Sequence, residues 1–84
     1  MYYTYVLQSK KDKKLYIGCT ENLKVRFETH NSGGVVATSK RHPFVILYYE
    51  ACVHKLDALR RERYLKTTYG GRYIKTRLKS YFTG

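Results

Sequence analysis

The stretch Tyr2-Tyr3-Thr4-Tyr5-Val6-Leu7-Gln8, then Ser9 to Lys14, then Leu15-Tyr16-Ile17-Gly18-Cys19 decides the fold. Tyr3, Tyr5 and Leu7 recur at every second position, and so do Leu15, Ile17 and Cys19, which is the period of a half-buried strand. Between them Ser9–Lys14 is charged and centred on Asp12. Residues 2–8 and 15–19 are therefore expected to pair as a hairpin with a basic, solvated tip.

Downstream of the hairpin, capping side chains at Thr20–Asn22 precede Leu23 and open a helix. It should end near Asn31–Gly34, where Gly33 and Gly34 stop it. Small residues and the run Lys40-Arg41-His42 make residues 33–43 read as an exposed contact loop. Phe44 to Ala51 is apolar on both parities apart from Glu50, the pattern of a central or doubly covered strand, and it is expected to be the core strand. Residues 55–68 predict a helix with Leu56, Leu59 and Leu65 on one side and arginines on the other. Gly70-Gly71 is expected to break it, ahead of a last basic helix over about 72–81 that turns Tyr73 or Ile74, with Leu78 and Phe82, to the body. The order β-β-α-β-α-α implies one α+β domain over residues 1–84.

Seventeen Lys and Arg against six Asp and Glu give a formal charge of +11, spread along the chain and interleaved with ten tyrosines. A polyanion is the natural partner, and nucleic acid fits best, because cations bind phosphates and aromatic rings stack on bases. So small a domain leaves no room for a second recognition module. Target choice must come from the surface that holds the site or from a partner protein. Cys19 and Cys52 are too few for a disulfide framework and are expected to be small buried apolar residues in a reducing cytoplasm. No apolar run approaches the ~20 residues that cross a membrane as a helix, so no membrane role is expected.

On the first helix Arg26 and His30 are four apart and share a face near its hydrophobic edge. Glu62 falls three residues after Leu59 and three before Leu65, inside the apolar stripe. An unpaired carboxylate there would cost several kcal/mol, so something cationic must face it. An arginine in an ion pair would serve, and so would a divalent metal held by one carboxylate plus waters. A zinc site from His30, His42, His54 and the cysteines has no ligand spacing behind it, and no serine stands near a His–Asp pair.

Together Tyr3-Thr4-Tyr5, the ten residues to Tyr16-Ile17-Gly18, Arg26, His30 and Glu62 resemble the GIY-YIG nuclease superfamily, in particular its small stand-alone bacterial members and the N-terminal domain of excision-repair nucleases. Gly18-Cys19-Thr20 opening the helix, His30-Asn31-Ser32-Gly33 closing it and Pro43-Phe44 leading into the third strand support the resemblance, which runs from Tyr3 to Lys66. Tyr3 and Thr4 stand where the motif has Gly and Ile, the second segment matches letter for letter, and the late Asn of some homing members is missing.

The resemblance implies a small three-stranded antiparallel sheet flanked by helices that cuts DNA, with RNA left open as a substrate, using one divalent metal, Mg²⁺ or Mn²⁺. It makes Tyr5 and Tyr16 the motif tyrosines, Arg26 the phosphate-binding arginine, His30 the helix histidine and Glu62 the metal ligand. A structure-selective or weakly sequence-specific endonuclease serving repair or recombination is the expected activity, and a binding protein that keeps the fold without turnover is the alternative.

Hydrolysis needs an activated water, stabilised phosphate charge and a neutralised leaving oxygen. A phenol titrates near 10, so only about 0.1% is ionised at pH 7, and a general base needs that value lowered. Arg26, the metal and the positive field all push Tyr5 that way. Tyr5 is thus expected to be the base and Tyr16 its hydrogen-bonding companion, roles that can be exchanged. His30 would bond the tyrosine or the phosphate, or simply pack against the sheet edge. Gly18 is expected to keep the phosphate's approach clear of side chains. Lys40, Arg41, Arg60, Arg61 and Arg63 are the expected backbone contacts.

Overall fold

The computed structural model describes residues 1–84 and places the hairpin as expected, with β1 over Tyr2–Ser9 and β2 over Leu15–Thr20. Ser9 organises the turn: its hydroxyl accepts from the N–H groups of Lys11 and Asp12, and Lys13 takes a left-handed φ of 63°. The first helix, α1, spans Leu23–Asn31, with the Asn22 side chain accepting from the Val25 N–H at its start. Gly33, at φ 79°, follows its end.

The third strand, β3, spans Phe44–Cys52 and pairs antiparallel with β1, giving the sheet order β2-β1-β3. The expectation of a central Phe44–Ala51 is therefore wrong: β1 is the central strand. Thr4, Tyr5, Val6 and Leu7 form its buried run, and they are buried on both parities because helices cover both faces of β1. On β3, Ile46 and Tyr49 are exposed, so apolar residues on both parities did not signal a central position.

One face of β1 packs Tyr5 and Leu7 with Phe44, Tyr16, Leu23 and Phe27. The other packs Val6 with Leu65, Ile74, Ile17 and Tyr48. The helices on that second face are α2, Lys55–Leu65, and α3, Thr68–Arg77, followed by a short α4, Lys79–Thr83. The buried stripe of α2 is Ala58 and Leu65, while Leu56, expected inside, is 56% exposed in the first turn.

Gly70-Gly71 does not break a helix but lies within α3. The break falls earlier, where the Thr67 hydroxyl accepts from the Gly70 N–H and caps the new helix. Gly70 has a steric reason: a Cβ there would run into the Tyr64 carbonyl oxygen and the Leu65 backbone. Absence of a side chain lets α3 fold back tightly on α2. Within the last segment Ile74 is buried and Tyr73 and Leu78 are half-buried, whereas Phe82 is exposed.

Candidate active site

Tyr5, Tyr16 and Gly18 share the face of the sheet that α1 covers, because Tyr5 pairs with Gly18 and Leu7 with Tyr16 in the β1–β2 register. The Tyr5 side chain lies across Gly18. A Cβ at Gly18 would fall on the Tyr5 hydroxyl and Cζ, so the glycine is needed by the tyrosine rather than by an approaching phosphate. Its backbone does not take a positive φ, which leaves close approach as the reason for glycine here.

Helix α1 brings His30 to the same place. The Tyr5 hydroxyl and His30 Nε2 are 2.9 Å apart, and His30 Nδ1 is 2.8 Å from the Thr38 hydroxyl. Tyr5, His30 and Thr38 are each essentially inaccessible to water. The Tyr16 ring stands edge-on to the imidazole at 4.9 Å, and the two tyrosine rings are 6.4 Å apart. Unlike Tyr5, Tyr16 is half-buried and its hydroxyl has no bond within the protein. That leaves it free to meet water or substrate.

Arg26 sits one turn before His30 on α1 and is half-buried, and its Nε is buried with no hydrogen-bond partner. An unpaired guanidinium N–H in a sheltered position is costly unless an anion reaches it. Glu62 comes from α2, the helix that covers the other face of the sheet. Burial raises the pKa of both Tyr5 and Cys19, and the charge of the Glu62 carboxylate adds to each rise. The cation that faces it is Lys66, one turn on in the chain, at 3.0 Å. Of the two anticipated arrangements the helix therefore provides an ion pair, with lysine in place of arginine.

Burial shapes the titration of this cluster. It raises Tyr5 above an ordinary phenol, with Tyr16 and Glu62 adding to the rise and the Arg26 guanidinium only partly offsetting it. The expected lowering of Tyr5 is thus reversed in the protein alone. Burial, with the charge of Arg26, lowers His30 to about 4, so its imidazole is neutral at pH 7. A neutral ring has one donor and one acceptor nitrogen, which suits a line running Tyr5–His30–Thr38.

Thr38 escaped the sequence reading because residues 33–43 look like an exposed loop. It lies in a 3-10 turn over Val36–Thr38, with Val36 exposed and Thr38 buried against the histidine. The only signal was a hydroxyl residue among small side chains. Asn31 was passed over as well: its side-chain amide bonds both the N–H and the C=O of Phe44 and so ties the end of α1 to the start of β3.

Of the five expected backbone contacts, two are engaged inside the fold. Arg41 holds Asp12 at 2.9 Å and lies over the Phe44 ring. Arg61 grips Glu50 with Nε and Nη2 and lies 4.5 Å over Tyr73. Arg60 pairs with Asp57 at the surface, and Lys40 and Arg63 are exposed with no acidic partner. Both cysteines are half-buried rather than buried.

The donor set fits a hard divalent ion of one kind. No three His, Cys, Asp or Glu side chains come close enough to hold an ion among themselves, and Glu62 is the carboxylate whose charge reaches Tyr5. Mg²⁺ is commonly held in this way, by one or two carboxylates with waters and substrate phosphate oxygens filling its shell.

The family profile described as GIY-YIG catalytic domain matches residues 1–75. Among curated proteins, a UPF0213 protein of Staphylococcus haemolyticus is 42% identical over 67 residues, covering 79% of this chain and 80% of the relative. A UPF0213 protein of Clostridium perfringens is also 42% identical over 67 residues, covering 79% of this chain and 71% of its own. One from Limosilactobacillus reuteri is 41% identical over 68 residues, covering 77% and 70%. No solved structure matches. With a profile that spans most of its length and relatives above 40% identity, this chain belongs to the GIY-YIG nuclease family.

Proposed function

We propose that the chain hydrolyses phosphodiester bonds in DNA as a metal-dependent endonuclease, structure-selective or weakly sequence-specific. The observation that carries this reading is the convergence of Tyr5, Tyr16, Arg26 and His30 on one face of the sheet, with Glu62 at its margin. Binding phosphate needs only positive charge. A buried phenol–imidazole pair beside an unpaired guanidinium N–H and a carboxylate is an arrangement for moving protons and holding a charged transition state.

The base is Tyr16 in this reading. Tyr5 is buried and its pKa is raised, whereas Tyr16 is half-buried with an uncommitted hydroxyl. Tyr16 first gives its phenol proton to solvent through its uncommitted hydroxyl, and the resulting phenolate takes the proton of the attacking water. Tyr5, bonded to the neutral His30, fixes the floor of the site and presents its oxygen beside Tyr16. Thr38 holds the imidazole in place through Nδ1. Arg26, whose Nε–H has no partner in the fold, would turn its guanidinium to the scissile phosphate, since charged donors bond an anion more strongly than neutral ones.

Glu62 would hold the Mg²⁺ or Mn²⁺ ion, and the ion when bound supplies Lewis-acid stabilisation of phosphate and leaving oxygen. Lys66 would give up its bond to the carboxylate on loading. The exposed cations Lys40 and Arg63, together with the overall positive field, draw the polyanion to the surface.

Branched, nicked, single-stranded and duplex DNA, each incubated with the protein in Mg²⁺, in Mn²⁺ and in chelator, test this reading. Metal-dependent cleavage of at least one substrate is expected. Tight, salt-sensitive binding with no cleavage of any of them would replace it with a non-catalytic nucleic-acid-binding role.

A further inference from the structure

The outer edge of β3 is open. Only its first residue is covered there, by the Asn31 amide, which gives Phe44 the pair of bonds that a fourth strand would give. From Val45 to Cys52 the backbone bonds to β1 and to nothing else. Natural edges are usually protected by charge, proline, a bulge or a covering element. Val45 to Tyr49 carries no charge, and Glu50 is held by Arg61 on the α2 side of the sheet. The one protective device is the irregularity that leaves Leu47 unpaired between Ile46 and Tyr48.

A hollow lies on each face of this strand, and Ile46 borders both. The one on the α1 face, about 670 Å³, is formed by Leu23, Phe27, Ile46 and Tyr49, with Lys24 and Glu21 as its charged residues. The opposite one, about 440 Å³, is formed by Val45, Leu47 and Tyr81, with Lys10 and Lys13 beside them. A strand laid along β3 would send alternate side chains to alternate faces and so into the two hollows in turn.

We propose that β3 docks an extended acidic segment of another protein, which pairs along it as a fourth strand. Three lysines against one glutamate around the hollows call for negative charge in the segment. A second copy of this chain is disfavoured, because each carries +11 and the bulge at Leu47 would interrupt the register of two like edges. DNA has no main-chain amides to satisfy a row of N–H and C=O groups. The inference does not rest on catalysis: Leu23 and Phe27 pack beside Tyr5 and Tyr16, but none of the residues around the hollows is one to which a catalytic role is given. It gives the domain a means of being brought to its target.

The test uses the ¹⁵N-labelled full chain and a short synthetic peptide of alternating Glu and Val, followed by amide shifts and hydrogen exchange. Shifts and slowed exchange centred on residues 45–51 are expected. Ile46→Lys should weaken binding tenfold or more with the fold intact by circular dichroism, and Tyr49→Asp should act in the same sense. A peptide with Lys in place of Glu, and one N-methylated at every residue, should not bind. The proposal is overturned by three results: no shift in β3, binding that survives N-methylation, or shifts confined to the lysines. Dimerisation of the free protein through β3, or the same shifts with oligothymidylate, would also overturn it by naming another occupant.

Discussion

Replacing Gly18 by Ala separates a steric requirement from a conformational one. Gly18 lies in β2 without a positive φ, so by backbone entropy alone Ala should stabilise the strand by roughly 0.5–1 kcal/mol. The structure demands the opposite sign. The new Cβ would fall on the Tyr5 hydroxyl and Cζ. Although a side-chain tip can often swing away, Tyr5 is 1% exposed and boxed in by His30, Tyr16 and Phe44. Overpacking of this kind costs about 1–3 kcal/mol. Breaking the buried bond to His30 adds roughly 1–3 kcal/mol more, so after the entropy gain a net loss of about 1–5 kcal/mol is expected. For a domain of this size each kcal/mol lowers Tm by about 4–8 °C.

Thermal and urea unfolding of the four members of the Tyr5→Leu, Gly18→Ala cycle measure the loss. Leu at position 5 removes the ring that clashes, so the cost of Gly18→Ala should shrink by about 1–3 kcal/mol in that background. If Gly18→Ala is neutral or stabilising in the parent, the close approach of Tyr5 is wrong. An equal cost in both backgrounds would place the strain in β2 itself.

The adjacent glycines of α3 should respond with opposite signs. Gly70→Ala drives a Cβ into the Tyr64 and Leu65 backbone and should destabilise the chain by more than about 2 kcal/mol, whereas Gly71 has nothing nearby and its Ala variant should gain roughly 0.5–1 kcal/mol, both read from denaturant midpoints. With His30 lowered to about 4 from 6.5, the unfolded chain binds a proton that the native one refuses, so stability is full above about pH 6.5 and falls as pH drops towards 4. At about 1.4 kcal/mol per unit the fall is on the order of 3 kcal/mol, and His30→Gln should flatten it in a pH series of urea melts. Thr38→Val leaves His30 Nδ1 without its partner and should cost about 1–3 kcal/mol, with a matching Thr38→Ser largely restoring it.

Local signals in the chain carried much of this architecture. The two-residue period of Tyr3-Tyr5-Leu7 and Leu15-Ile17-Cys19 produced the hairpin, and Asn22 and Gly33 bounded α1 where caps predict. What misled was tertiary context. An apolar run on both parities suits a central strand, yet β3 is an edge whose Ile46 and Tyr49 stay exposed. Gly70-Gly71 has the composition of a break, but the need for close helix contact is invisible in one dimension. Glu62 announced itself as an acid in an apolar stripe, and its charge does reach Tyr5. Thr38 and the internal roles of Arg41 and Arg61 depend on pairings 8, 29 and 11 residues away, which no local period encodes.

The most direct measurement of the central claim is the single-turnover cleavage rate of Tyr16→Phe against the parent, on the best DNA substrate in Mg²⁺. Losing only a hydroxyl that has no bond within the protein should leave Tm nearly unchanged. If Tyr16 is the general base, the rate should fall by about 10²–10⁴-fold. A variant that cuts DNA as fast as the parent would contradict the assignment of this tyrosine face as the phosphodiester site.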